Sequence, residues 1–100
     1  LARCFTQGEL DFCLKRRDPV PGLAARFAAK EAGAKALGTG IARGVSWKEI
    51  EITRKPGSRP MIHFHGRAAE HAARMGMERA HVSLTHSMEL ASAFVILERN

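Results

Sequence analysis

With 100 residues, 45% of them apolar and 26% charged, the chain is sized for one small domain with a single modest core, spanning residues 1–100. No apolar run approaches the ~20 residues of a membrane span and no signal-peptide pattern opens the chain, which excludes a membrane-spanning reading. The net charge of +6 and pI near 10.2 call for an anionic partner: nucleic acid, an acidic protein or a phosphorylated small molecule. Cys4 and Cys13 lack CxxC spacing and are too few for a disulfide framework, so they read as reduced packing residues of a cytoplasmic protein.

Thr6-Gln7-Gly8-Glu9 fits a capping box, with Phe5 and Leu10 placed for a hydrophobic staple. A helix is predicted from about Gln7 to Arg16, burying Leu10, Cys13 and Leu14. Arg17 to Gly22, with two prolines, is a turn that starts a second helix at Pro21-Gly22. That helix contains FAAKEAGAKALGTG, Phe27 to Gly40, and stops near Gly38-Thr39-Gly40, with Gly33 in its interior costing about 1 kcal/mol against Ala. The period then changes to two. Trp47 to Thr53 alternates, with Ile50 and Ile52 on one face and Glu49 and Glu51 on the other, and after a loop at Lys55 to Pro60 the stretch Met61 to His65 alternates again. This is a β-hairpin with a long turn. Gly66 to Met75 is an Ala-rich helix closed by Gly76, and His81 to Thr85 and Ala91 to Leu97 are two further strands. The order ααββαββ gives an α+β fold, helices packed on a small antiparallel sheet.

The second helix carries the most informative charges. Wound at about 100° per residue with Phe27 at zero, Leu23, Ala34 and Leu37 form an apolar stripe at about −20° to −80°. Lys30 falls within that stripe, at about −60°, and Glu31 and Lys35 beside it at about +40° and +80°. Glu31 and Lys35 are also spaced i,i+4, so an ordinary surface pair is one reading. The other is a ligand site: a charge on an apolar stripe demands a partner, and a carboxylate beside a lysine suits a cation plus phosphate oxygens. Gly38 and Gly40 would let backbone N–H groups approach such a ligand. His63 and His65, at i,i+2 in a strand, have a spacing that can chelate zinc, but the polar face of the hairpin explains them without a metal. His71 and His81 carry no motif. His86, followed by Ser87 at the end of a strand, is either a turn or a phosphate contact. Lys15, Arg16, Arg17, Arg67, Arg74 and Arg79 would supply a nucleic-acid face, yet aromatic residues are few and no RNA-binding pattern appears.

Taken together, LAARFAAKEAGAKALGTGI (Leu23 to Ile41), WKEIEI (Trp47 to Ile52), GSRP (Gly57 to Pro60), HVSLTHSMELASAFVILE (His81 to Glu98) and the capped FTQGEL (Phe5 to Leu10) resemble the small, trimeric type of 4′-phosphopantetheinyl transferase, the holo-(acyl-carrier-protein) synthase family. The resemblance covers essentially the whole chain. It implies an enzyme that moves phosphopantetheine from coenzyme A to a serine of an acyl carrier protein, releasing adenosine 3′,5′-bisphosphate, with Mg²⁺ required. It further implies a homotrimer with sites between subunits and a place in fatty acid biosynthesis. By resemblance Glu31 is the Mg²⁺ ligand and Lys35 lies beside the pyrophosphate, these two being the catalytic pair. Lys30 belongs to the same motif, and Arg26, Arg59, Pro60, His86 and Ser87 surround the nucleotide and its 3′-phosphate. Either a water on the ion or a carboxylate would accept the serine proton.

The family pattern also opens with a strand bearing Gly-x-Asp, whose aspartate is a second metal ligand. This chain begins Leu1-Ala2-Arg3 instead, so an N-terminally incomplete domain is expected, with part or all of a carrier-docking helix missing too. Gly33 stands where the family usually has a larger residue. The competing classes are a basic RNA-binding module, whose binding would fall steeply with salt and need no Mg²⁺, and a non-catalytic remnant of the transferase fold.

Overall fold

The computed structural model describes residues 3–41, 43–86 and 91–99, with the side chains of 85, 86, 91–94, 98 and 99 outside the description. In chain order it has α1 (Gln7–Leu14), α2 (Val20–Ala36), a short 3-10 turn (Trp47–Glu49), β1 (Ile50–Thr53), β2 (Met61–Phe64), α3 (Gly66–Arg74), β3 (Met77–His86) and β4 (Ala91–Arg99). The expected α+β order holds. The sheet is two antiparallel pairs among the described residues, β1 with β2 and β3 with β4. Ile50 faces Phe64 and Ile52 faces Ile62 in the first, and His81 faces Ile96 in the second.

The capping box at the start of α1 forms: Thr6 Oγ1 accepts from the Glu9 amide at 3.2 Å and the Glu9 carboxylate accepts from the Thr6 amide at 2.8 Å. Glu9 and Cys13, not Leu10 and Leu14, are the buried residues of this helix, and Leu14 is 55% exposed. The inward stripe follows Glu9 because its carboxylate has partners inside. Helix α2 ends on a Schellman motif. The Gly38 amide donates to Lys35 O at 2.9 Å and the Thr39 amide to Ala34 O at 3.2 Å, with Gly38 at φ +78°.

Two boundaries differ from the sequence expectation for local reasons. Trp47 to Glu49 is a 3-10 turn and not the start of a strand, because Glu49 is drawn into capping: it accepts from the Ser46 amide and from the Arg67 amide, each at 3.1 Å. Gly66, at φ +52°, gives that carboxylate its room, since a Cβ there would lie 2.3 Å from Glu49 Oε2. Strand β3 begins at Met77, four residues before His81, because Met77 pairs with Arg99 across a bulge that the alternation pattern does not reveal.

The core lies where α2 packs across both strand pairs, with Ala29, Ala34, Leu37, Ile50, Ile52 and Ile62 buried and Phe64, Val82, Leu84, Val95 and Leu97 packed around them. Gly33 is buried on this face, and a Cβ there would lie 3.1 Å from both Ile50 Cγ2 and Ile62 Cδ1, so the hairpin packs directly on the helix backbone.

Candidate active site

Helix α2 divides its charges between two faces. Ala25, Arg26, Ala29, Lys30, Gly33 and Ala34 are buried, whereas Glu31 and Lys35 are exposed. Wound on the helix, the buried set centres about 140° or more from Glu31 and Lys35. The lysine on the apolar stripe therefore has a structural explanation. Lys30 is fully buried, and its Nζ meets Glu9 Oε1 at 2.8 Å, Trp47 O at 2.9 Å and the Ile50 carbonyl oxygen. All three ammonium protons thus have acceptors within the protein. Burial pushes the Lys30 pKa down, and the hydrogen bond and charge of Glu9 push back. Glu9 is equally occupied: beyond Lys30 and Thr6, its Oε2 accepts from the Ile52 amide at 2.8 Å. One buried ion pair fastens α1, α2 and β1 together. Lys30 is therefore a fold residue, and its expected place among the cofactor-binding residues is corrected.

Gly38 and Gly40 need a similar correction. Their amides close the helix, Gly38 on Lys35 O and Gly40 on Ala34 O at 3.1 Å, and so are not open donors for a ligand. Both keep positive φ with nothing within 4 Å of a notional Cβ, which fits a close approach by a ligand but not its capture by these N–H groups.

Glu31 and Lys35 stand next to each other on the outer face, and neither takes part in an ion pair among the described residues. No three His, Cys, Asp or Glu side chains come together as a metal site among the described residues. The donor chemistry available at Glu31 is one free carboxylate. That fits Mg²⁺, which takes one or two carboxylates and fills its octahedron with water and phosphate oxygens. It does not fit Zn²⁺, which wants a closed set of protein ligands in a structural site. His63 and His65 face polar partners of the hairpin, His63 Nε2 at 2.9 Å from Thr53 Oγ1 and His65 Nε2 at 3.0 Å from Glu51 Oε1. The polar-face reading of the two histidines holds.

Arg26 is the second unusual group. It is 4% exposed, and burial holds its guanidinium pKa below the usual value. Nη1 donates to Gly22 O at 3.2 Å, while Nε and Nη2 have no partner among the described residues. It lines a cleft of about 530 Å³ between α1, the start of α2 and the loop that follows β1. Phe12, Arg16, Arg54 and Lys55 line the same cleft, and the sequence does not single them out with Arg26, because together they come from three separate segments. Arg59 and Pro60 lie elsewhere, on a cavity of about 620 Å³ bounded by β2, α3 and β3. His86 ends β3, its side chain outside the described set, and Ser87 lies outside the described residues altogether. The candidate residues thus occupy three places on one chain: the outer face of α2, the Arg26 cleft and the Arg59 cavity.

A family model described as the 4′-phosphopantetheinyl transferase superfamily matches residues 1–93. The holo-[acyl-carrier-protein] synthase of Koribacter versatilis is 48% identical over 98 residues, covering 98% of this chain and 78% of its own. That of Moorella thermoacetica is 49% identical over 98 residues, with 98% and 76% covered. Among solved structures, holo-[acyl-carrier-protein] synthase from Neisseria meningitidis superposes with a TM-score of 0.84 at 35% identity over 97% of this chain and 78% of that one. The Bacillus anthracis enzyme, in complex with CoA (3′,5′-ADP), does so with a TM-score of 0.80 at 32% identity over 99% and 79%. The match in sequence runs through both faces of α2 and the match in structure through the whole architecture, and the chain belongs to the 4′-phosphopantetheinyl transferase superfamily.

Proposed function

We propose that this protein transfers 4′-phosphopantetheine from coenzyme A to a serine hydroxyl of an acyl carrier protein, as a holo-(acyl-carrier-protein) synthase. The observation that carries the assignment to particular residues is the exposed Glu31–Lys35 pair, on a helix whose other charges are committed inward. The serine hydroxyl gives its proton to a water or a carboxylate, and its oxygen forms a bond to the pantetheine-side phosphorus of the pyrophosphate. The bond from that phosphorus to the bridging oxygen breaks, and adenosine 3′,5′-bisphosphate leaves with the electron pair. In such a transfer the protein contributes positioning and charge stabilisation. Glu31 would hold Mg²⁺, which supplies charge neutralisation for the pyrophosphate oxygens when bound. Lys35, one turn on, places its ammonium against the same oxygens and stabilises the departing bisphosphate. Arg26 offers to the nucleotide half of the substrate two donors that have no partner among the described residues.

The homotrimer belongs to this reading. Arg59 and Pro60 lie on a different cavity from Arg26, so a site built between subunits would bring together what one chain keeps apart. Exposed Met61 and Ile96, at 52% and 61%, give such an assembly apolar surface to cover. The basic net charge suits an acidic carrier protein. A cytoplasmic place in fatty acid biosynthesis follows from the same reading and agrees with two free thiols. Among the described residues no helix is long and apolar enough to cross a membrane. An RNA-binding role draws no comparable support, since Arg16 and Arg79 line different cavities and do not share one basic stripe.

The test is direct. The protein is incubated with coenzyme A, Mg²⁺ and an apo acyl carrier protein, and intact mass and released adenosine 3′,5′-bisphosphate are followed together. A carrier mass gain of one phosphopantetheine group per bisphosphate released, abolished by chelation of Mg²⁺, is the expected result. Bisphosphate release without carrier modification, or modification unaffected by chelation, would overturn the assignment.

A further inference from the structure

Nothing in the local backbone of α2 calls for a glycine at position 33. Gly33 is absent from the residues with positive φ, and its carbonyl accepts from the Leu37 amide at 3.0 Å, so the helix runs through it without a kink. An interior glycine weakens a helix relative to alanine. What it supplies is room. A Cβ there would stand 3.1 Å from Ile50 Cγ2 and 3.1 Å from Ile62 Cδ1, closer than ordinary van der Waals contact, so both strands of the hairpin rest on the helix backbone at one point. A second point lies about one turn back on the same face, where Lys30 Nζ donates to the carbonyl oxygens of Trp47 and Ile50. Ile50 is thus held twice, its carbonyl by Lys30 and its side chain against Gly33. Two contacts a turn apart fix the spacing of helix and hairpin and keep either from rolling on the other. This seat lies directly behind the outer pair. Gly33 falls midway between Glu31 and Lys35, and at about 100° per residue it faces about 160° away from each. A push on Gly33 from the core is therefore delivered to the turn that carries both. On the hairpin side, β2 starts at Met61, immediately after Arg59 and Pro60, and Ile62 follows.

We infer that Gly33 is a positioning residue for the transfer: by carrying no side chain it lets Ile50 and Ile62 seat on the α2 backbone, and that seating sets where Glu31 and Lys35 stand relative to the Arg59–Pro60 segment. The inference rests on the transferase reading and adds to it a buried residue that touches no substrate. Arg26 lies about two turns earlier on α2, away from the contact, so the nucleotide half of the substrate keeps its hold when the space at Gly33 is filled. A displaced Glu31–Lys35 turn then shows in the rate of transfer and not in substrate binding.

The experiment compares wild type, Gly33→Ala, Ile62→Val and the double variant in the full chain. It records single-turnover transfer from coenzyme A to apo carrier protein, KM for coenzyme A, and thermal unfolding on the same samples, with the assay run well below every midpoint. An added Cβ moves its neighbours by a few tenths of an ångström. Since about 1 Å of misplacement costs ~100-fold, Gly33→Ala should slow transfer about tenfold while KM stays within about twofold. Ile62→Val removes the Cδ1 methyl that the new Cβ meets and leaves the Ile50 contact. The double variant should therefore transfer only about threefold more slowly than Ile62→Val alone. A substitution that merely lowered stability would leave the rate per folded molecule unchanged. Transfer by Gly33→Ala at the wild-type rate overturns the positioning role. So does a slowing that Ile62→Val fails to relieve, or a rise in KM as large as the loss of rate. If Gly33→Ala does not fold, the double variant decides alone: slowed transfer at unchanged KM supports the role, and transfer at the rate of Ile62→Val overturns it. A wild-type chain that modifies no carrier removes the transferase reading itself, and the proposal falls with it.

Discussion

The two faces of α2 carry the same chemistry to opposite ends. On the inner face a lysine meets a carboxylate with no exposure to solvent on either side chain, and backbone groups of Trp47, Ile50 and Ile52 complete the pair. On the outer face a carboxylate and a lysine lie one turn apart with no ion pair among the described residues. A buried pair contributes little net stability, because desolvation offsets its Coulomb attraction, but either member alone is a severe liability. An exposed pair contributes a few tenths of a kcal/mol and is free to serve a ligand. Position on the helix, and not residue type, separates the residue that holds the fold from the residue offered to substrate.

Breaking the inner pair should have the largest effect. Lys30→Met leaves the Glu9 carboxylate buried with one charged partner gone and should lower unfolding free energy by about 3–5 kcal/mol in denaturant titration. Combining it with Glu9→Leu should recover part of that loss, since no uncompensated charge then remains, although the Ile52 amide loses its acceptor. A double variant less stable than Lys30→Met alone would show that the carboxylate's backbone bonds matter more than its charge. On the outer face Lys35→Met should leave unfolding free energy within about 0.5 kcal/mol of wild type. It should lower kcat/KM for coenzyme A by about 100-fold, read in a steady-state assay. Loss of stability without loss of turnover would reverse the roles of the two faces.

Legibility followed the same division. Local signals were readable: the Thr6–Glu9 box, the stop at Gly38 and the alternation of Ile50 and Ile52 each lie within a few residues and act through backbone geometry. Placing Lys30 on the apolar stripe was also a sequence result, but its partner was not. Glu9 looked fully explained as a capping residue, and nothing local marks a capping carboxylate that also reaches another helix and a strand. The signal, in retrospect, was an unexplained buried cation together with an acidic residue on the buried stripe of a short amphipathic helix. The cleft around Arg26 escaped for the same reason, since Phe12, Arg26 and Arg54 converge only in three dimensions. Arg16 was grouped with other basic residues by charge alone, and charge carries no information about which face a residue shares.

Smaller effects sharpen the inner face. Gly33→Ala gains about 1 kcal/mol of helix propensity but forces a methyl within 3.1 Å of Ile50 and Ile62, a misfit of about 1–3 kcal/mol. A net loss of about 1 kcal/mol is expected by thermal unfolding, and a net gain would show that the hairpin can move away from α2. The smallest effect concerns Glu51 on β1, which accepts from Thr6 Oγ1 at 2.7 Å and pairs with His65. The Thr6 hydroxyl holds its carboxyl below the usual value, with a further contribution from His65 against a modest burial penalty. Because the folded pKa is depressed, this contribution is complete above the unfolded value of about 4.3 and is lost as pH falls through the folded pKa. Thr6→Ala should therefore flatten the acid limb of the stability curve below about pH 4.3. An unchanged limb would place the acid sensitivity elsewhere.

The central claim is that Glu31, on the outer face, serves the chemistry while Lys30 and Glu9 serve the fold. It is tested most directly by single-turnover transfer to apo carrier protein by Glu31→Gln, with thermal unfolding recorded on the same sample. Glutamine keeps the size and loses the charge. Transfer should fall by about two to three orders of magnitude with the unfolding midpoint unchanged. Transfer within a few-fold of wild type, at an unchanged midpoint, would contradict the assignment of Glu31.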